Sequence, residues 1–388
     1  MQGMAVLAKI EELARDVGFS TAGIAAVPEP GSPDDLDEQA RFTAWVVDGR
    51  AGEMEYLKRR SDDGRLLRSS VRVALPWARS VIVCAANYNS DTPRSTDPAP
   101  PATGWIARYA WTSRSENGAI RPSDYHRVLL RRLEKLRERL SQELGPFESR
   151  CFVDTGPVVE RVYARYAGIG WVGKNTCILN QKLGSWMFLG VIVTSLELTR
   201  GSAAQLAPSL VPDRCGSCTR CIDACPTDAL TDARGMDANR CIAYLTIEKR
   251  GPVPEELRPG IGRQVFGCDI CQDVCPWNRR APIAADPELT AREELVNPAL
   301  EDLATMDEAE FERTFNGSPV RRAKWAGFRR NLAMAMGNSG EARFLPRLLA
   351  WAGDTNPVVA EAAEWAVQQL RRGEARGNDS DRQSEPDI

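Results

Sequence analysis

The stretch CGSCTRCIDACP, residues 215–226, decides the fold of the middle of this chain, and GCDICQDVCPWN, residues 267–278, answers it. Cysteines at 215, 218, 221 and 225, followed by Pro226, have the spacing of a bacterial ferredoxin iron–sulfur run. The short spacers let three thiolates wrap one face of a cubane, while the fourth is directed away and ligates a second cluster. The spacing therefore predicts one [4Fe–4S] cluster on Cys215, Cys218, Cys221 and Cys275, and another on Cys225, Cys241, Cys268 and Cys271. In the second set Cys241 replaces the usual early cysteine, 27 residues before Cys268. Structural zinc sites use paired C-x-x-C knuckles, often with histidine, and fit this pattern poorly.

The concentration is far from even. Eight of 11 cysteines lie in the 61 residues from 215 to 275, where uniform scatter would put about two. With 388 residues, 27% charged and 43% hydrophobic, the chain has material for two or three domains and is neither wholly disordered nor fibrous. The longest apolar run, Trp186 to Val193, is too short for a membrane span of about 20 residues. The N-terminus lacks a basic start followed by an apolar core, so a cytoplasmic protein without structural disulfides is expected. Cys84, Cys151 and Cys177 read as buried inert thiols. A single histidine excludes His-rich metal sites and argues against histidine-based acid–base networks.

Outward from the cysteines, apolar periodicity predicts a helix over 4–17, a buried strand over 79–86, and a long charged helix over 123–143 that begins at Ser123-Asp124. Further strands are expected at 151–153 and 186–194, with a helix near 158–168 between them and an exposed loop at 90–103. This alternation predicts an α/β domain over 1–205, a ferredoxin-like cluster domain over 206–285, and an α-helical unit over 286–372. Trp325 and Trp365, 40 residues apart in related contexts, suggest a HEAT-like repeat. Residues 373–388 are polar and read as a disordered tail.

Two features carry candidate chemistry. Residues 318–330 hold Arg321, Arg322, Lys324, Arg329 and Arg330 without an acid, and Lys249-Arg250 is a smaller basic spot near the clusters. Such a patch suits a polyanion, although a solvated helix face has the same composition. Asp154 ends an apolar strand before Thr155-Gly156, where α/β proteins place ligand-binding groups; burial there would raise its pKa and make it a proton donor. Turn-capping is the structural alternative. The glycines at 168, 170 and 173 do not form a phosphate loop before Lys174.

The combination resembles the epoxyqueuosine reductase family, over about residues 4–370. The resemblance is carried by GEMEY (52–56), VDTG (153–156) through GIGWVGKNT (168–176), the first cysteine run, GCDICQDVCPWN, and the segments with Arg329-Arg330-Asn331 and Gly337-Asn338. It implies two [4Fe–4S] clusters and a base-off cobalamin between the α/β and cluster domains, with Asp154 as proton donor. Corrin contacts carry over to Arg59, Asp154, Val159, Glu160, Arg161, Asn175, Ile178, Leu189, Ala243, Cys268 and Asp269. It also makes the basic residues Lys249, Arg250, Arg321, Arg322, Lys324, Arg329 and Arg330 a tRNA contact surface.

One departure stands out. The family joins its Tyr-Ala motif directly to Asp-Tyr-His, whereas here Tyr109-Ala110-Trp111 and Asp124-Tyr125-His126 are separated by residues 112–123. His126 reads as a helix-start residue and not a cobalt ligand. The implied activity is reduction of epoxyqueuosine to queuosine in the anticodon loop of tRNA, by a monomer fed by an external electron donor. A reductive dehalogenase shares these cofactors, and a ferredoxin-type carrier shares the clusters; the basic segment argues against the first and the large N-terminal domain against the second.

Overall fold

The protein is described by a computed structural model covering residues 2–116, 118–198, 210–231 and 234–382, so the expected boundary at 205/206 lies outside the described residues. Four strands form the N-terminal sheet in the order Thr21–Ala26, Ser80–Asn87, Met187–Thr194, Ser149–Phe152. Ser80–Asn87 is buried along its whole length because both faces are covered. Ile82, Cys84 and Ala86 join a core with the helices Gln2–Asp16 and Tyr125–Leu144, while Val81, Val83 and Ala85 join another with the helix Glu160–Tyr166. Period-two alternation thus sends successive residues into different cores. Gly23 has a reason of its own: a Cβ there would lie 2.2 Å from the Ala167 carbonyl oxygen, so the end of Glu160–Tyr166 can approach the strand only over glycine.

The predicted helices and strands of this region form within a few residues of their expected ends, but the pairing corrects the α/β expectation. Every neighbouring pair in the sheet is antiparallel. Ser80–Asn87 and Ser149–Phe152 are mutually parallel and are connected through the helix Tyr125–Leu144, as in a βαβ unit. Met187–Thr194 then inserts between them. The strand Thr21–Ala26 and the helix Pro33–Val47 had no place in the sequence reading.

The segment 112–122 is a hairpin, Thr112–Glu116 with Ala119–Pro122, extended by Thr290–Ala291 into a three-stranded sheet. In the cysteine segment the short helices Arg220–Asp223 and Ile270–Asp273 pack on each other. The C-terminal region is helical: Leu300–Thr305, Glu308–Thr314, Lys324–Ser339, Leu345–Ala352 and Pro357–Arg382. The last helix runs as far as Arg382, into the stretch expected as a tail; residues 383–388 lie outside the described residues. One apolar core runs from Ile242, Leu245 and Phe266 in the cysteine segment to Phe311, Phe328, Leu332 and Val359.

The basic stretch is not one exposed helix. Residues Pro319–Ala323 form a 3₁₀ turn and the α-helix starts at Lys324, whose φ is +62°. Arg330 is 1% exposed and donates to the carbonyls of Leu245, Lys249 and Gly251 and to Asn331 Oδ1. Asn331 donates to the carbonyls of Thr246 and Val265. This pair pins the C-terminal helix to the cysteine segment and removes Arg330 from any RNA-facing surface. No helix among the described residues is long and apolar enough to cross a membrane.

Arg330→Met should lower the unfolding free energy by roughly 2–4 kcal/mol, since it strands several buried carbonyls. Lys324→Ala, at an exposed site, should change it by less than about 0.5 kcal/mol. Urea titrations of both variants will check the contrast.

Candidate functional site: a cleft between the sheet and the cysteine segment

The fold brings cysteines that are distant in sequence near one another. Cys275 and Cys215 share one apolar cluster with Trp171 and Trp277, and Cys241 and Cys268 pack on the large C-terminal core. Burial pushes the Cys275 thiol up to about 11, with Cys215 and Cys221 adding to it. Cys221 is raised by burial and then by Cys215 and Cys218. Cys268 is raised by burial, then by Cys241 and, more weakly, Cys225. Cys271 is raised first by its hydrogen bond with Cys177, then by burial and by Cys268 and Cys241. Cys215 and Cys221 are thus neighbours of Cys275, and Cys225 and Cys241 neighbours of Cys268. Cys177 departs from the inert-thiol expectation: it touches Cys271, and that hydrogen bond lowers it to about 7. Cys84 and Cys151 are raised mainly by burial, as packing thiols are.

Asp154 sits where three cavities meet. One, of about 1250 Å³, is lined by Tyr56, Arg68, Val159, Glu160, Arg161, Cys241 and Ala243, among others. A chamber of about 510 Å³ is lined by Tyr109, His126, Arg127, Arg321 and Arg322. A pocket of about 200 Å³ between them is lined by Glu160, Arg161, Cys177, Ile178 and Leu189, and Asp154 borders all three. The residue is placed by a tight turn just after Ser149–Phe152. Thr155 N–H donates to the Val153 carbonyl at 2.6 Å, and Asp154 between them has φ +58°. A non-glycine residue in this left-handed, three-residue turn is strained and must be held by its surroundings. Arg68 Nη2 donates to the Asp154 carbonyl at 3.0 Å.

Facing Asp154 is a residue whose role the sequence reading missed. His126 Nε2 lies 3.6 Å from Asp154 Oδ2, and His126 Nδ1 is 2.7 Å from Asp124 Oδ1. Burial disfavours charge on this imidazole, but the hydrogen bond with Asp124 and the Asp154 carboxylate outweigh it and lift His126 to about 9. The same partner holds Asp154 below the usual carboxylate range, against the upward push of desolvation. This corrects the expected raised pKa: the Asp154 side chain is 67% exposed, and near neutral pH the proton resides on the histidine. The sequence signal was Asp124-Tyr125-His126 itself, since an N-cap aspartate two residues before a histidine can hold both its backbone and its ring. Tyr125 stacks on Phe188 at 4.1 Å and on His126 at 3.9 Å, giving the chamber an aromatic wall.

The large cavity suits a bulky cofactor with polar edges. Glu160 Oε1 and Trp171 Nε1 are buried without a hydrogen-bond partner, and both residues line it. Burial, then the charge of Asp154, raises Glu160 to about 7, so it can accept from or donate to an amide. Of the expected corrin contacts, Asp154, Val159, Glu160, Arg161 and Ala243 line this cavity, and Ile178 and Leu189 line the pocket beside it. Arg59, Asn175, Cys268 and Asp269 line none of the three. Asn175 donates to the Cys271 carbonyl, and Asp269 accepts from Arg108 N–H at 2.6 Å. Arg68 and Tyr56, absent from the expected contacts, do line the large cavity.

The other cations are largely engaged by acids from distant elements. Lys249 pairs with Glu53, Arg321 with Glu312, Arg322 with Glu248, and Arg329 with Asp354 between Trp325 and Trp351. Arg250 donates to the carbonyls of Arg322 and Ala323. Arg321 and Arg322 still line the chamber, whereas Lys324 is exposed outside it.

A two-set cysteine segment under a deep cleft defines an iron–sulfur oxidoreductase. Residues 214–278 match the family model of a 4Fe-4S double cluster binding domain, and residues 68–155 that of "Epoxyqueuosine reductase QueG, DUF1730". The chain is 39% identical over 363 residues to the epoxyqueuosine reductase of Xanthomonas campestris, covering 93% of this chain and 95% of that one. It is 34% identical to that of Escherichia coli K12, covering 95% and 90%. Among solved structures, an epoxyqueuosine reductase with a tRNA-Tyr epoxyqueuosine-modified stem loop superposes with a TM-score of 0.79 at 27% identity, covering 99% of this chain and 96% of that one. The chain belongs to the epoxyqueuosine reductase family.

Because His126 is the only histidine, one imidazole titration reports the dyad. Its NMR midpoint should lie near pH 9 and fall by about one unit or more in Asp154→Asn. The raised folded-state value makes the contribution to stability full below about pH 6.5 and lost as pH rises to about 9, a fall of roughly 2 kcal/mol after screening at the exposed Asp154. A midpoint below 7 would remove the ion pair.

Proposed function

We propose that this chain reduces epoxyqueuosine to queuosine in the anticodon loop of tRNA. It would hold a base-off cobalamin in the large cavity and two [4Fe–4S] clusters on the two cysteine sets. The observation that carries the reading is the position of Asp154: it faces an imidazolium where a chamber open to a substrate meets the cavity walled by Cys241. Residues 1–205 would form the cobalamin unit, 206–285 the cluster unit and 286–372 a HEAT-like RNA-binding unit. A low-potential external donor would supply electrons to a cytoplasmic monomer. A bare electron carrier would have no use for such a cleft.

When bound, the cofactors supply the electrons and the C–O cleavage chemistry. The chain's own part is access, orientation and protons. Tyr125 and Phe188 offer stacking faces to a splayed-out base, the usual way a protein reads a loop nucleotide. Arg321 and Arg322 border the chamber and suit the flanking phosphates. Two electrons and two protons convert the epoxide into an alkene and water, so both protons must reach one oxygen. His126 Nε2 stores a proton next to Asp154 Oδ2, and Asp154 is placed to relay it. Asp124 keeps the imidazole tautomer and orientation fixed. Glu160, raised to about 7, lies beside the same junction and would make a polar contact to the corrin amides.

Protein with reconstituted clusters and cobalamin should form queuosine from an epoxyqueuosine-bearing stem-loop RNA, read by nucleoside mass spectrometry. No product with any low-potential reductant would overturn the reading. Asp154→Asn should slow the reaction by about 10²–10⁴-fold at unchanged RNA affinity. Cys225→Ser should cost the cluster on Cys241, Cys268 and Cys271 while leaving the other, halving the iron content to about four atoms per chain.

A further inference from the structure

The hairpin Thr112–Pro122 has an inner half that serves the fold and an outer half that does not. Thr112 and Ser113 are buried, pair with Ala291 and Thr290, and Ser113 Oγ donates to the Thr290 carbonyl at 3.0 Å. Beyond them Glu116, Ala119, Ile120 and Arg121 are exposed, and Ile120 is 71% exposed. Arg114 stands directly opposite Arg121 across the antiparallel pair. Like charges in that position cost stability. Glu116, 3.1 Å from Arg114, offsets one of them, while Arg121 has no ion pair among the described residues.

The location gives that uncompensated charge a direction. Pro122 lies beside Gly317, and the chain continues through Ser123 into Asp124, His126 and Arg127, which line the chamber with Arg321 and Arg322. Arg127 is exposed and also carries no ion pair among the described residues. At about 3.4 Å per residue the strand spans roughly 10 Å from Ser113 to Glu116. Cations therefore continue from the chamber mouth out along the hairpin, with Arg114 and Arg121 on one face and Ile120 on the other.

We propose that this hairpin is an RNA grip, in which Arg114 and Arg121, on one face of it, bind the sugar–phosphate backbone of the stem-loop whose base enters the chamber. A phosphate between the two guanidiniums would relieve their repulsion. The proposal rests on the function proposed above and extends it to a segment outside the basic residues already assigned to RNA.

The test uses holoenzyme and an epoxyqueuosine-bearing stem-loop RNA. Arg114→Ala/Arg121→Ala should weaken RNA binding about tenfold and reduce the slope of log K against log salt by about one to two. KM for the RNA should rise with kcat within about twofold, and Arg121→Lys should keep most of the affinity. Unaltered cluster absorbance and melting will show that the variants are folded; should the double variant fail to fold, Arg121→Glu, at an exposed site, must show the same loss. Unchanged affinity and salt slope would overturn the grip, as would a fall in kcat alone. A rise in KM for the electron donor at constant RNA affinity would also overturn it, assigning the hairpin to an acidic carrier. Failure of the wild-type chain to turn over RNA that it binds would count against the proposed function and leave the binding comparison intact.

Discussion

The cysteine segment must satisfy a crossed requirement on which the remaining structure depends. On the proposed ligand sets, Cys275, from the end of the segment, lies with Cys215, Cys218 and Cys221, and Cys225 with Cys241, Cys268 and Cys271. A chain can do this only by folding back on itself, which places Arg220–Asp223 against Ile270–Asp273. So short a segment cannot bury much apolar surface of its own. The support comes from both sides: Trp171 packs with Cys275 and Trp277, and the C-terminal helix closes the other side through Arg330 and Asn331. The buried guanidinium is costly to desolvate, and burial lowers it to about 10. Its contacts to three backbone carbonyls compensate for that cost and fix one docking geometry, which apolar packing alone specifies less strictly.

That docking geometry sets how the cysteine segment faces the Asp154–His126 pair. The cavity wall containing Cys241 and Ala243 belongs to the cysteine segment, and the opposite wall, with Val159 and Glu160, follows the sheet strand ending at Phe152. Asp154 reaches the junction because its backbone takes a strained turn that Arg68 holds from outside. The ion pair with His126 then ties this strand end to the start of the helix Tyr125–Leu144. A movement of either element would change both the cavity shape and the location of the stored proton.

The features legible in the sequence are those governed by local rules. Cysteine spacing is a property of one short segment, and the buried strand Ser80–Asn87 announced itself by its apolar run. What the sequence hid is non-local. Nothing in Met187–Thr194 says that it will slide between two strands already linked by a crossover helix. The run Arg321 to Arg330 looked uniformly basic because its counter-charges, Glu248, Glu312 and Asp354, come from elsewhere in the chain. The Asp154 pKa was expected to rise from burial alone; the direction reversed because a histidine 28 positions away faces it.

The segment 112–123 sits beside this site as a closed unit. Its ends are joined: Ser123 N–H donates to the Thr112 carbonyl at 2.9 Å, and Thr112 Oγ1 donates to the Ser123 carbonyl. The chain therefore leaves and re-enters at nearly one point, as a hairpin must, and the loop-closure cost is met by its own ladder. Immediately afterwards Asp124 caps the helix by accepting from His126 N–H. The cap sets where the helix begins, independently of what precedes Ser123, so the imidazole keeps its register against Asp154. The Asp124–His126–Asp154 geometry therefore does not depend on the outer half of the hairpin, so changes in the proposed grip would leave the imidazole in place.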